Sequence, residues 1–101
     1  MVVRLTYLQF HSGKLNEAKK FYNEVAIPTV RKQKGSLDCR LLEPRDEKDD
    51  YISMTVWDND EDANAYESTG VYKSLVDQVR PNLSKAPVLK VFNAEGVMEH
   101  A

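Results

Sequence analysis

Residues 2 to 10, Val-Val-Arg-Leu-Thr-Tyr-Leu-Gln-Phe, are rich in β-branched and aromatic side chains and predict a first strand. His11-Ser12-Gly13-Lys14 make a turn, and from Leu15 the period lengthens. Leu15, Ala18, Phe21, Tyr22 and Val25 share one helical face, with Lys19, Lys20, Asn23 and Glu24 opposite. Pro28 lacks an N–H, which predicts a stop or kink at Ile27. Proline is also tolerated in a first helical turn, so residues 29 to 33 can continue as a second short piece before Lys34-Gly35. Residues 37 to 42 predict a second strand, with Leu37, Cys39 and Leu41 on one face and Asp38, Arg40 and Leu42 on the other. Residues 43 to 50 are too polar to bury and predict a solvated hairpin loop.

The alternating run Tyr51-Ile-Ser-Met-Thr-Val-Trp57 predicts a third strand ending on the one tryptophan. Asp58 or Asn59 caps the helix that follows, and Asp60, Glu61 and Asp62 complement its N-terminal dipole. Ala63 and Tyr66 begin its inner face, and Gly70 interrupts it. Val71, Tyr72, Leu75, Val76 and Val79 then resume the apolar stripe as far as Pro81. Residues 88 to 92 predict a fourth strand, and 94–101 read as a tail without pattern. The order β-α-β-β-α-β predicts an α+β, ferredoxin-like fold over one domain, 1–101, with its core in 2–93 and both helices on one face of a four-stranded antiparallel sheet. Strands one and three carry apolar groups on both faces: Val3, Leu5 and Tyr7 against Leu8 and Phe10, and Ile52, Met54 and Val56 against Tyr51 and Trp57. Helices cover one face only, so the other calls for a second copy, and the expected assembly is a homodimer.

Composition narrows the function classes. Hydrophobic residues make up 42% and charged residues 30% of 101, with a net charge of −2. That balance leaves no electrostatic footprint for nucleic acid or anionic lipid. No apolar run reaches the roughly 20 residues a membrane span requires, and the opening strand pattern gives no signal peptide. Cys39 stands alone, so a reducing cytoplasm is the expected location. His11 and His100 lie at opposite ends of the chain, and no ligand spacing for a metal results. Gly13, Gly35, Gly70 and Gly96 are too scattered to form a phosphate-cradling loop.

What remains as candidate chemistry is aromatic. Trp57, Tyr66 and Tyr72 fall near one end of a strand–helix unit, where they are either core side chains or pocket walls with phenolic donors. Tyr7 faces either the helices or the partner copy. Arg40 either meets a substrate oxygen or pairs with a carboxylate. His11, at the end of strand one, is either a solvent-exposed turn residue or, if turned inward, a general base.

Four segments carry a family resemblance: Phe10-His-Ser-Gly-Lys14, Ile27-Pro28 with Arg31-Lys-Gln-Lys-Gly35, Ile52 to Trp57 with its acidic sequel, and Tyr66-Glu-Ser-Thr-Gly-Val-Tyr72. In order and spacing, over about residues 2–93, the chain resembles the antibiotic biosynthesis monooxygenase group of the dimeric α+β barrel superfamily. The resemblance implies a pocket between helices and sheet and oxygenation, without a cofactor, of phenol-, quinol- or polyketide-like aromatic molecules. Trp57, Tyr72 and His11 would then be catalytic, and Tyr7, Tyr66 and Arg40 would contact the substrate. A different class stays open: a dimeric module that binds a small hydrophobic molecule without turnover. Haem-degrading relatives are similar around Trp57, but they use a strand-one asparagine and an axial histidine. Here strand one has Thr6 and Tyr7, and residues 72 to 79 contain no histidine.

Overall fold

The computed structural model describes residues 1–96, so most of the expected tail, and His100 with it, lies outside the described residues. Strand β1 is Val2–Leu8, β2 is Ser36–Leu42, β3 is Tyr51–Trp57 and β4 is Val88–Asn93. They form one antiparallel sheet in the order β2-β3-β1-β4. Between β1 and β2 run α1 (Leu15–Phe21), a π-helical turn (Tyr22–Ala26) and α2 (Ile27–Arg31). Between β3 and β4 run α3 (Asp60–Ser68), α4 (Val71–Val79) and a 3-10 turn (Arg80–Asn82). The fold is α+β and ferredoxin-like, as the element order predicts. Strand one is shorter than expected: it ends at Leu8, and Phe10 makes a separate bridge to Leu83.

The polarity of the central strands runs against the usual rule. Val2, Arg4, Thr6 and Leu8 are the buried side of β1, turned to the helices, while Val3, Leu5 and Tyr7 lie on the open face. In β3 the helix side carries Tyr51, Ser53, Thr55 and Trp57, and the open side carries Ile52, Met54 and Val56. The middle of the inward face is therefore polar, Arg4, Thr6, Ser53 and Thr55 between apolar ends, while the outward face of these two strands is apolar. Leu42 joins the open face from β2, and Val88 and Phe92 join it from β4, the last two 46% and 47% exposed.

The first helical segment departs from its predicted face. Ala18, Tyr22, Ala26 and Val30 are buried, a stripe with steps of four residues, and Val25 is exposed. Steps of four overshoot an α-helix of 3.6 residues per turn, and the wide π turn absorbs the difference. The N–H of Ile27 reaches back five residues to Tyr22 O, and Pro28, which has no N–H, then falls in the first turn of α2. The helix passes through the proline for that reason, and the same phase shift turns Val25 out and Ala26 in. A second departure is Leu37. The β2–β3 register slips between Ser36 and Asp38, and this bulge leaves Leu37 exposed instead of beside Cys39.

Asn59 caps α3, its Oδ1 accepting the Asp62 N–H at 2.8 Å. Two glycines set the joints. Gly70, at φ +87°, separates α3 from α4 with open space around its Cα. Gly35, at φ +79°, leads into β2, and a Cβ there would collide with the Asp62 side chain. Gly35→Ala is expected to cost about 2–4 kcal/mol, left-handed strain plus displacement of Asp62, and Gly70→Ala about 1 kcal/mol from strain alone. Urea midpoints of the two variants, read against the parent, check that order.

Candidate functional site

Between the helices and the inward face of the sheet lies a small hollow of about 20 Å³. That is room for roughly one water molecule. β1 contributes Thr6 and Leu8, β2 Cys39 and β3 Ser53. The first helical segment adds Phe21, Tyr22, Ala26 and Val30, and α3 and α4 close it with Tyr66, Tyr72, Leu75, Val76 and Val79. The alternation of β1 and β3 turns Thr6 and Ser53 inward, and the four-residue stripe turns Tyr22 the same way.

Aromatic groups form one side. Trp57 and Tyr66 stack with centroids 4.8 Å apart, and Tyr66 meets Tyr72 edge-on at 5.6 Å. Tyr72 OH and Thr6 Oγ1 share a hydrogen bond of 3.1 Å. Behind these rings sits Arg4. Its guanidinium carbon is 4.8 Å from the Tyr72 centroid and 5.6 Å from that of Tyr66, and Nη2 donates to Glu67 Oε1 at 3.2 Å. The thiol and two of the phenols on the wall are held neutral. Burial pushes the Tyr22 phenol well above its ordinary range, with Ser53 opposing in part, and burial likewise raises Tyr66. Burial pushes the Cys39 thiol up to about 11, with Arg31 opposing and Asp38 adding.

The structure brings together two of the six residues read from the sequence. Tyr66 and Tyr72 both line the hollow. Trp57 is 0% exposed and not part of the wall: its ring backs Tyr66, and its Nε1–H donates to Thr55 Oγ1 at 2.9 Å. It acts on the hollow only by holding Tyr66 in place. Tyr7 and Arg40 are on the opposite face of the sheet, because odd positions of β1 and even positions of β2 point away from the helices. There Lys90 Nζ sits 5.2 Å from the Tyr7 ring, and Arg40 Nε donates to Asp38 Oδ2 at 2.8 Å. His11 is exposed and lines a separate hollow with Ser12, Gly13, Glu47 and Asp49, so of its two readings the solvent-exposed turn residue is the one that holds. The backbone N–H of His11 donates to Asn82 O at 2.8 Å.

Arg4, Thr6, Tyr22 and Ser53 escaped the sequence reading as site residues. The signal was present in β1: Arg4 and Thr6 share parity with Val2 and Leu8, so whichever face held Leu8 in the core also held a cation and a hydroxyl. Among the described residues no three His, Cys, Asp or Glu side chains are grouped to hold a metal ion. Nor is any described helix long and apolar enough to cross a membrane.

A sequence profile of the antibiotic biosynthesis monooxygenases matches residues 1–78, and the chain belongs to that family. A search of curated protein sequences finds no match. Among solved structures, a candidate antibiotic biosynthesis monooxygenase from Deinococcus radiodurans superposes with TM-score 0.82 at 12% identity, over 100% of this chain and 99% of that one. A mutant of SnoaB, a cofactor-independent oxygenase from Streptomyces nogalater, gives TM-score 0.78 at 15% identity, over 98% and 97%. A mutant of MhuD with two manganese protoporphyrin IX molecules per active site gives 0.78 at 22%, over 99% and 100%. At these identities the likeness is one of fold.

The buried thiol and phenols fix an alkaline limit on stability. An unfolded cysteine loses its proton near its ordinary pKa of 9, whereas folded Cys39 keeps it to about 11. Unfolding therefore releases a proton in that window, and stability falls as pH rises through it, by about 2–3 kcal/mol from Cys39 alone. Tyr22 and Tyr66 act in the same direction at higher pH. Thermal melts between pH 8 and 11 check this, with Cys39→Ser expected to flatten the lower part of the curve.

Proposed function

We propose that the protein is a monooxygenase that needs no cofactor and acts on phenol-, quinol- or polyketide-like aromatic molecules. The observation that carries this reading is the Thr6–Tyr72 hydroxyl pair, set in an aromatic hollow under the helices. The reaction requires an electron-rich substrate bound as its anion. The anion passes one electron to dioxygen, the resulting radical pair joins as a peroxide, and loss of water leaves a carbonyl. In sum a ring CH₂, which a phenol or quinol presents in its keto tautomer, and O₂ become C=O and H₂O, so no outside reductant is consumed. The chain has to bind the ring, favour the anion and keep water out. Tyr72 and Thr6 hold the substrate oxygen, Tyr66 forms a wall, and Trp57 keeps that wall in place.

Access runs beside Leu75. On its outer side is a surface groove of about 400 Å³ lined by Val25, Thr29, Gly70, Val71 and Ser74, and Leu75 belongs to both spaces. A swing of that side chain joins the groove to the hollow and makes room for a ring. The opposing reading, a binding module without turnover, is favoured by one observation. No carboxylate or imidazole lines the hollow among the described residues.

Oxygen uptake separates the two. With 1,4-naphthoquinol as substrate, chelator present and no flavin, the rate is expected to exceed autoxidation, and Tyr72→Phe to lower kcat/KM by roughly 10- to 100-fold. A rate equal to autoxidation together with saturable binding assigns the module instead. Tyr72→Phe is the informative variant because Trp57→Ala would empty a fully buried site and cost about 3–5 kcal/mol of stability.

The open sheet face supports a homodimer in which two sheets pack together. Val3, Leu5, Met54, Val56 and Phe92 would otherwise form a contiguous apolar surface in water. The lone buried thiol of Cys39 fits a reducing cytoplasm. Sedimentation velocity at micromolar concentration is expected to give twice the 11.6 kDa chain mass. Met54→Glu, which places a charge at the centre of that face, is expected to give the monomer.

A further inference from the structure

Arg4 is a charge in a place where water does not compensate it. Its side chain is 5% exposed, and its Nε has no hydrogen-bond partner. Its carboxylate partner, Glu67, is 54% exposed on the outside of α3, where solvent and salt screen it. The groups that face the guanidinium are Glu67 and Tyr66 from α3 and Tyr72 from α4. Its cross-strand neighbours, Thr55 on β3 and Val91 on β4, carry no charge. The two rings it sits behind are walls of the hollow, and Thr6, two residues along the same strand face, holds the Tyr72 hydroxyl. The positive field of Arg4 already acts on one of these phenols, opposing the upward push of burial on Tyr66.

We propose that Arg4 is a positioning residue whose field makes the hollow take acidic hydroxyaromatic compounds as their anions, with the ligand oxygen on the Thr6–Tyr72 hydroxyl pair. This rests on the hollow being the ligand site, as argued above, but not on turnover. The ligand O–H ionises, its proton passes to solvent, and the anion stays bound. No base in the wall is then required. That agrees with a lining whose thiol is raised to about 11 and whose Tyr22 and Tyr66 phenols are raised further, none of them able to accept a proton at neutral pH. The oxygenase problem of a missing base becomes a matter of substrate acidity: compounds whose own hydroxyl ionises readily are selected.

The test uses the full chain and 2-naphthol, whose neutral and anionic forms absorb differently. Bound to the parent protein, the probe is expected to ionise about one pH unit or more below its value in water, a tenfold change in the ionisation constant. Glu67→Gln removes the screened partner from an exposed site and is expected to lower that value further. Arg4→Lys should retain part of the shift, and Arg4→Met should abolish it. Loss of the Glu67 carboxylate lowers the value by itself, so the contrast between Arg4→Lys and Arg4→Met is what a merely structural Arg4 would not give. The proposal is overturned if the bound probe ionises at or above its value in water. It also fails if Glu67→Gln leaves the value unchanged, or if 2-naphthol does not bind up to its solubility limit. Should Arg4→Met fail to fold, the Arg4→Met/Glu67→Gln double variant, which removes both charges together, decides: it should lose the parent's shift, and the proposal fails if the shift stays. Oxygen uptake measured with 1,4-naphthoquinol on the same samples keeps the two readings apart. A lowered value without uptake upholds the charge and overturns the oxygenase, and uptake with an unshifted probe does the reverse.

Discussion

The reversed polarity of β1 and β3 is the constraint from which the rest of the structure follows. Arg4, Thr6, Ser53 and Thr55 point toward the helices, and Val3, Leu5, Ile52, Met54 and Val56 point away. Burying polar groups under helices costs free energy unless each is partnered. Here Thr55 accepts from Trp57, Thr6 pairs with Tyr72, and Arg4 is held by Glu67 and two aromatic faces. The aromatic cluster is thus the partner set that lets a polar strand face be buried. A sheet that turns its polar side inward must also turn its apolar side outward, so the hydroxyl-lined hollow and the uncovered apolar face have one cause.

The helical layer answers the same constraint from above. A stripe with steps of four residues places Ala18, Tyr22, Ala26 and Val30 nearly in line over the sheet, where a pure α-helix would let the stripe drift round. The π turn removes that drift at the point where Tyr22 and Ala26 border the hollow. The small side chains at 18 and 26 leave the segment close to the sheet, and Tyr22 fills the gap between them. Pro28 tolerates the arrangement because the wide turn already shifts the hydrogen bonds that it would otherwise break.

Much of the architecture was legible in the sequence because it rests on local signals. The period-two run from Tyr51 to Trp57 is the strand that forms, and Asn59 caps the helix its acidic sequel opens. Gly70 breaks the second helical stretch where it was expected to. The site was legible only where an aromatic residue sat on a helix, as with Tyr66 and Tyr72. Arg40, Tyr7 and His11 each had two readings: Arg40 takes the pairing with a carboxylate, Asp38, Tyr7 the face away from the helices, and His11 the exposed turn. Alternation along a strand groups residues into two faces but does not say which face meets the helices, so it could not choose between the two for Tyr7. Val25 failed for another reason: a one-residue change of helical phase leaves no mark in composition, and the four-residue spacing of Ala18, Tyr22, Ala26 and Val30 is visible only once the 3.6-residue template is set aside.

A hollow of about 20 Å³ and a role in binding aromatic molecules are compatible only if opening is cheap. Two features make it so. Among the described residues no hydrogen bond joins the 15–33 helical segment to α3 or α4, so parting them across the groove breaks only apolar contacts. The side chain that divides hollow from groove is Leu75, and exposing one leucine costs about 1.5–3 kcal/mol. A two-ring aromatic that buries on the order of 200 Å² of its own apolar surface regains about 5 kcal/mol at 25 cal/mol/Å². On the proposed reading, the area a ligand buries exceeds the cost of displacing Leu75, and the closed hollow would be the resting form of a site that its ligand opens. On that reading a small polar molecule, burying little apolar area, would not open it, and the Leu75 barrier would select for aromatic size before any hydroxyl in the hollow is reached.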